Sequence, residues 1–475
     1  MKSDVLIRKV ETLLVSTQCR TPLKFGAVVV EKLPIAYAKV TVENQAGRVA
    51  SGWGAMFLMD LWAWPTSRVN HEVKNRVMCD LFEDYGKLLA NFNRFAHPIE
   101  IFMETKSDLS RLALEISELH APGEEVPFLG ALVSASPLDH AIHDAFGRVN
   151  EIDSFHGYGP EHLDFDLSRY LGPNYKGKYP SQFIRDKYVP EIPVVHLVGG
   201  LDLLHRGEVG EDLPRDGIPN SLDDWVKRDG VYCLKIKLRG DDLAWDVERT
   251  IAVSHIYREV QAVSRSDLPS HPYLTVDTNE QCESPEYIMN YLDAINVREP
   301  RIFNEITYVE QPTDRDLDLN RWDMKEISKL KPVLIDESLT SLSDFDLAQE
   351  LGWSGIAIKS CKCLSSNLLF VPLAINSGLP YSVQDLTNPS IALLQSVGLA
   401  ARTYPILGVE ANSRQFFPAA NDDVATIHPD LCQIRNGVAK TKSLSGTGFG
   451  LRVEDIADFT EAIQRKDVFF RQNVR

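Results

Sequence analysis

The sequence predicts an α/β protein, a barrel of the (β/α)8 type with a separate α+β domain ahead of it. Three observations point there. Eight short β-branched runs recur within about 220 residues from Ile192 onward, close to the size of such a barrel. Amphipathic stretches separate them, as βα units require, and residues 1 to about 136 follow a different order, strand-like segments first and helical patterns after.

Taken in order, the N-terminal region holds strand-like segments at Ala27 to Val30 and Ala36 to Val42. The turn Asn44-Gln45-Ala46-Gly47 follows, then helical patterns between about 70 and 120. Leu138, Ala141, Ile142, Ala145, Phe146 and Val149 form one apolar stripe, which predicts a well-buried helix. His140 and His143, three apart on that helix, read as helix-surface residues. Residues 150–190 are rich in Gly, Pro, aromatic and charged residues and read as a long surface insertion.

The eight runs are Ile192 to Val198, Val231 to Leu238, Tyr273 to Asp277, Ile302 to Glu310, Pro332 to Asp336, Gly355 to Lys359, Tyr381 to Asp385 and Ile406 to Ala411. Between them, Val253, Ile256, Val260 and Val263 keep to one helical face. A doubly wound sheet is disfavoured, because Val198-Gly199-Gly200-Leu201-Asp202 after the first run is no Gly-rich phosphate turn. His196 and His205 near that run lean to structural roles.

Composition limits the partners. The 475 residues are 44% hydrophobic and 25% charged, with 67 acidic against 50 basic side chains and a net charge of −17. No Lys/Arg block interrupts that balance, which argues against nucleic acid and anionic membrane surfaces. The charged N-terminus never opens into a signal core, and no run approaches the roughly 18 apolar residues of a membrane span. Seven scattered cysteines fit a reducing compartment, so the expected location is cytoplasmic. Cys361-Lys362-Cys363 lacks zinc-site spacing, and its cysteines read as buried or loop thiols.

The chemistry lies at the ends of the runs. Lys235 and Lys237 are two apart and project to one face of their strand. The next three runs end in Asp277, Glu310 and Asp336, and the sixth in Lys359. Three carboxylates crowded at a barrel mouth raise one another's pKa unless a cation sits among them, and oxygen-only ligands select a hard ion such as Mg2+. Glu337 competes with Asp336 as third ligand, but strand alternation turns it to the other face. A free lysine, with pKa of roughly 10.4, becomes a working base beside another ammonium or a metal. Lys235 is placed to do this for Lys237, and Lys359 approaches from the opposite side. A carboxylate substrate on the cation would have its α-proton acidified through an enediolate.

Lys-Ile-Lys, Asp-Thr-Asn, Val-Glu-Gln-Pro, Ile-Asp-Glu-Ser and Ile-Lys-Ser, in this order, resemble the motifs of the enolase superfamily in its muconate-lactonizing (muconate cycloisomerase) subgroup. Pro22 to Gly54 and Ser136 to Arg148 resemble its capping domain and closing helix. The resemblance implies a modified TIM barrel, (β/α)7β, with an N-terminal α+β capping domain. It divides the chain into a cap at 1–136, a connecting helix and insertion at 137–190, the barrel at 191–424, and a C-terminal segment at 425–475 that completes the cap. It implies Mg2+, with Mn2+ as a substitute, on Asp277, Glu310 and Asp336, Lys237 and Lys359 as acid/base pair, and Lys235 tuning Lys237. A small carboxylate substrate and a homo-oligomer are expected.

Ser382-Val383-Gln384-Asp385 contains no His, so the His-Asp dyad of the mandelate racemase subgroup is missing and acid-sugar dehydration is less expected. Racemisation or epimerisation of an amino-acid derivative or dipeptide, cycloisomerisation, or syn-elimination by a lyase of the same superfamily suits the lysine pair. A Schiff-base aldolase using Lys359 and a non-catalytic metal-binding barrel are the rivals from other classes. Candidate substrate contacts are Asn279, Glu410 and Asn412 on the last strand, Asp385, and Arg20, with Lys24 beside it. Trp53, Phe57, Trp62 and Trp64 form either an aromatic lid or packing between cap and barrel.

Overall fold

The computed structural model describes residues 1–25 and 28–473, with the side chains of residues 22–31 and 473 outside that description. Ala27 and the Lys24 side chain therefore lie outside the described residues. Strands β1 (Val5–Phe25), β2 (Val28–Asn44) and β3 (Val49–Phe57) form an antiparallel sheet in that order. β1 is longer than any strand expected here. Its charges at Arg8, Lys9 and Glu11 belong to the open face of a sheet that buries Val5, Ile7 and Leu14 on the other. At the turn into β3, the Asn44 side chain accepts from the amides of Ala46 and Arg48, both at 3.1 Å.

The sheet lies on the helix Phe128–Val149, whose stripe is buried as predicted. Gly52 and Gly54 make this approach possible, since a Cβ would stand 2.1 Å from Ala145 N and 2.0 Å from Pro137 O. His140 and His143 are not on the helix surface. They are 2% and 0% exposed, because the residues after 150 cover this face: His143 lies between Ser365 Oγ and Tyr158 OH, each at 2.8 Å. The 150–190 stretch is thus no surface insertion alone. It buries Phe155, Tyr158, Tyr175 and Phe183 and adds its own layer of core.

The helix Pro98–His120 starts at His97, whose Nδ1 accepts from Ile99 N while Nε2–H donates to the Gly157 carbonyl, both at 3.2 Å. Only the neutral ring can make both bonds, and burial pushes its pKa down to about 3. Unfolded His titrates near about 6.5, so acid is taken up first by the unfolded chain and stability is lost as pH falls below that value. Relative to a His97→Asn variant, which keeps a capping oxygen, the wild type is expected to lose about 2 kcal/mol between about pH 7 and pH 5, read from urea unfolding at each pH. A constant difference would mean that the ring takes up its proton in the fold as readily as in the unfolded chain.

The barrel strands are β4 (Glu191–Val198), β5 (Cys233–Lys237), β6 (Tyr273–Asp277), β7 (Ile306–Glu310), β8 (Val333–Ile335), β9 (Gly355–Lys359), β10 (Tyr381–Gln384) and β11 (Val409–Glu410). All pair in parallel in sequence order, and β11 closes the ring on β4 through Val409↔Val194 and Glu410↔Val195. Gly408 allows that closure, because a Cβ there would meet Pro193 O at 2.1 Å. The fold is the modified TIM barrel with an N-terminal α+β cap. β12 (Val438–Lys440) adds antiparallel to the start of β4.

The fourth run begins too early in the sequence reading: Pro300–Glu305 is a helix, started by a proline in its first turn, and the strand opens at Ile306. In the helix Leu243–Ser264 the apolar stripe stops at Val260, and Val263 in its last turn is exposed. The C-terminal helix Phe459–Asn473 returns to β1, where Asp467 Oδ1 accepts from Leu14 N at 2.6 Å and Arg471 donates to the Thr12 carbonyl at 3.0 Å. No helix among the described residues is long and apolar enough to cross a membrane.

Candidate active site

In a parallel barrel, alternate residues of each strand point inward, and the C-terminal strand ends gather at one mouth. Lys235 and Lys237 follow this rule on β5. Register places Lys237 beside Asp277, and Asp277 beside Glu310. Lys235 is fully enclosed. Its Nζ donates to Glu310 Oε1 at 2.7 Å and Glu410 Oε1 at 2.8 Å and stands 3.0 Å from Asp277 Oδ2. Lys237 donates to Asp277 and, at 2.6 Å, to Asn279 Oδ1. Across the mouth, Lys359 Nζ lies 2.6 Å from Asp336 Oδ2, and Lys362 Nζ donates to Asp336 Oδ1 at 3.0 Å. Lys237 and Lys359 thus sit on opposite flanks of one line of carboxylates.

Charge and burial compete at each position. Burial would raise the Asp277 carboxyl, but Lys237 and Lys235 hold it well below the usual range. Asp336 is likewise pulled to about 2, against burial, by Lys359 and Lys362. Glu310 goes the other way: burial, with Asp277, Asp336 and Glu410 around it, outweighs Lys235 and pushes it well above its ordinary value. Two of the lysines, Lys359 and Lys235, are shifted upward. Although burial opposes it, Asp336 raises Lys359, and Glu310, Glu410 and Asp277 raise Lys235. In this network carboxylates outweigh the neighbouring ammoniums.

Strand alternation also misplaces Glu337. β8 ends at Ile335, so the rule no longer applies two residues later. Glu337 is buried and accepts from Asn279 Nδ2 at 3.1 Å and from the indole of Trp62 at 2.8 Å. Its other oxygen has no hydrogen-bond partner.

The remaining candidates separate into two groups. Asn279 and Glu410 are part of the cluster. Asp385 lies beside it, pushed up to about 7 by burial and by Glu410, and accepts from the amides of Thr387, Asn388 and Asn412. Asn412 accepts from Leu197 N at 3.2 Å and braces β4.

Arg20 and Trp53 are engaged elsewhere. The Arg20 guanidinium is occupied by both oxygens of Asp216 at 2.7 and 2.8 Å, by Ile218 O and by Asn220, so the 201–230 segment takes the charge expected for a second substrate anion. Trp53 packs edge-on to Phe459 at 5.5 Å and is cap packing; its neighbour Trp62 carries the contact to the cluster. His196 is buried against Trp225 and Arg414, and His205 is exposed.

Two cluster residues were not singled out in the sequence, Lys362 and Gln384, which donates to Glu310 Oε2 at 2.5 Å; Trp62 was named only within the lid or cap packing. Lys362 was visible three residues after Lys359, on a 3-10 turn at Ser360–Lys362 that brings it back to Asp336. Trp62→Phe keeps an aromatic ring but removes the pyrrole part of the indole with its N–H, which leaves the Glu337 carboxylate short of a donor. A loss of about 1–3 kcal/mol in urea unfolding is expected; no loss would mean that water satisfies Glu337.

Asp277, Glu310 and Asp336 are fully buried, offer oxygen alone, and stand at or just past the ends of three consecutive strands. That donor chemistry is the kind Mg2+ takes. Among the described residues no three such side chains are gathered as a metal site, because Lys235 stands between Asp277 and Glu310, and Lys359 and Lys362 lie against Asp336.

The family model described as "Enolase C-terminal domain-like" matches residues 218–456. Among solved structures, a member of the enolase superfamily from Roseovarius nubinhibens ISM is 17% identical with TM-score 0.57, over 94% of this chain and 95% of that one. The muconate lactonizing enzyme from Mycobacterium smegmatis is 17% identical with TM-score 0.58, over 94% and 96%. The L-Ala-D/L-Glu epimerase from Bacillus subtilis is 15% identical with TM-score 0.54, over 85% and 89%. No curated protein matches. These structures share the fold, while the family match covers half of the chain and runs from ahead of β5 to beyond β11. The chain belongs to the enolase superfamily.

Proposed function

We propose that the protein removes the α-proton of a small carboxylate substrate through an enediolate, using Lys237 and Lys359 as the bases on its two faces. The observation that carries this reading is the placement of those two lysines on opposite flanks of the Asp277, Glu310 and Asp336 carboxylates. Bound by these three residues, Mg2+ would hold the substrate carboxylate, stabilise the enediolate charge and draw carboxylate charge away from the lysines.

The side chains supply the rest. One lysine takes the proton and the other returns it from the opposite face, which inverts the carbon. Lys235, locked by three carboxylates, keeps Glu310 and Glu410 in place. Asn279 orients Lys237, and Glu410 and Asp385 offer acceptors to a substrate ammonium or amide. Racemisation or epimerisation of an amino-acid derivative or dipeptide is the reading that uses both bases most directly, with cycloisomerisation beside it. Membership in the muconate-lactonizing subgroup is part of the proposal. It is supported by the absence of His on β10, and the similar structures include an epimerase and a muconate lactonizing enzyme.

The test is incubation in D2O with Mg2+ against amino-acid derivatives, dipeptides, hydroxy acids and unsaturated diacids, following α-proton loss by NMR. Exchange that requires Mg2+ is the expected result. Binding of Mg2+ without exchange by any of these acids would overturn the proposal in favour of a non-catalytic barrel.

A further inference from the structure

We propose that Arg315 is the positioning residue that holds Trp62 of the cap over Lys359, and thereby sets how open that lysine is to a substrate. The inference rests on the reading of Lys359 as one of the two bases. It is carried by an unequal feature of the site: the side chain of Lys237 is 22% exposed and that of Lys359 only 4%. What covers Lys359 is the Trp62 ring, whose centroid is 4.3 Å from Nζ.

Besides the bond of its indole to Glu337, Trp62 is held at its backbone from two sides. Within the cap, the buried carboxylate of Asp60 accepts from His71 Nδ1 at 2.8 Å and from Asn75 Nδ2 at 3.4 Å, which fixes the start of the short helix Asp60–Ala63. From the barrel, Arg315 reaches over after β7 and donates to the carbonyls of Trp62 at 3.0 Å and Ala63 at 3.3 Å. The same guanidinium forks onto Glu280, Nε to Oε1 at 2.7 Å and Nη2 to Oε2 at 2.5 Å. A planar fork can serve a carboxylate and two carbonyls together, which an ammonium cannot do with the same geometry.

Glu280 is itself placed at some cost. Asn279 and Glu280 take φ of +45° and +69°, two consecutive non-glycine residues in the left-handed region. This turn points Asn279 at Lys237 and Glu337 while Glu280 turns to Arg315. The end of β6 therefore serves Lys237 directly and Lys359 through Arg315 and Trp62.

The test needs no substrate. The protein is acetylated with N-acetoxysuccinimide at mildly alkaline pH, and the rate at each lysine is read by peptide mass spectrometry. Arg315→Met is expected to raise the rate at Lys359 by about tenfold, as for loss of one charge-assisted contact, with Lys235 unchanged as the buried control. Arg315→Lys should restore part of the protection, and Glu280→Gln, which leaves the arginine in place, should raise the rate by a smaller factor. Equal increases at Lys235 and Lys359 would mean that Arg315 only supports the fold, and an unchanged Lys359 would mean that Trp62 stays without it; either overturns the proposal. Since labelling is independent of catalysis, absence of proton exchange would count against the proposed reaction alone.

Discussion

Lys237→Ala and Lys359→Ala are each expected to slow α-proton exchange by about 10²- to 10⁴-fold, the range in which a positioned acid or base contributes. The loss should be unequal between enantiomers. With one base on each face, a variant lacking Lys237 retains only the proton removal that Lys359 performs, and the reverse holds for the other variant. The measurement is NMR-detected deuterium incorporation into each enantiomer of a substrate found among the test acids. Equal loss for both enantiomers in both variants would mean that the lysines hold the carboxylates rather than move the proton. Lys359→Ala also removes the ammonium beside Asp336, but Lys362 remains within 3.0 Å of that carboxylate, so the fold should survive the change.

Lys235→Met is expected to be the most destabilising single change at the mouth, by about 3–5 kcal/mol, the usual effect of removing one member of a buried ion group. Among the described residues, Lys235 is the one ammonium that touches three carboxylates, Asp277, Glu310 and Glu410, all buried. Glu310 is already raised with the lysine present, so without it the cluster must protonate or take in a cation. The prediction has a second part: Mg2+ should stabilise the variant more than the wild type in urea unfolding, because the competing ammonium is gone. A variant as stable as the wild type would show that the ion group does not hold the mouth together, and one indifferent to Mg2+ would show that Asp277 and Glu310 do not belong to a cation site. Replacing a buried ion group with apolar side chains is sometimes neutral, but here only one member of the group is replaced.

Much of this site could be found without coordinates, for a physical reason. A parallel strand covered on both faces must be apolar along its length, so Tyr273–Asp277 and Gly355–Lys359 read off with the bounds they have in the fold. A charge that closes such a run has one place to go, the barrel mouth. Half-exposed β1 gave no such contrast and was missed, as was the burial of His140 and His143 beneath residues that follow them by a short loop.

The chain by itself placed the strand-end residues Lys235, Lys237, Asp277, Glu310, Asp336 and Lys359 at the mouth, because period-two alternation and strand order are local properties of the sequence. It did not determine what each one touches. Trp62 meets Glu337 across 275 positions and Arg20 meets Asp216 across 196, and no periodicity encodes such pairs. Only the tertiary structure decided that Trp62 rather than Trp53 covers the cluster, that Arg20 is occupied by the 201–230 segment, and that Glu337 turns inward once β8 has ended. Those outcomes depend on how the cap and the long connections settle on the barrel, through contacts whose partners are chosen by packing in space and not by spacing along the chain.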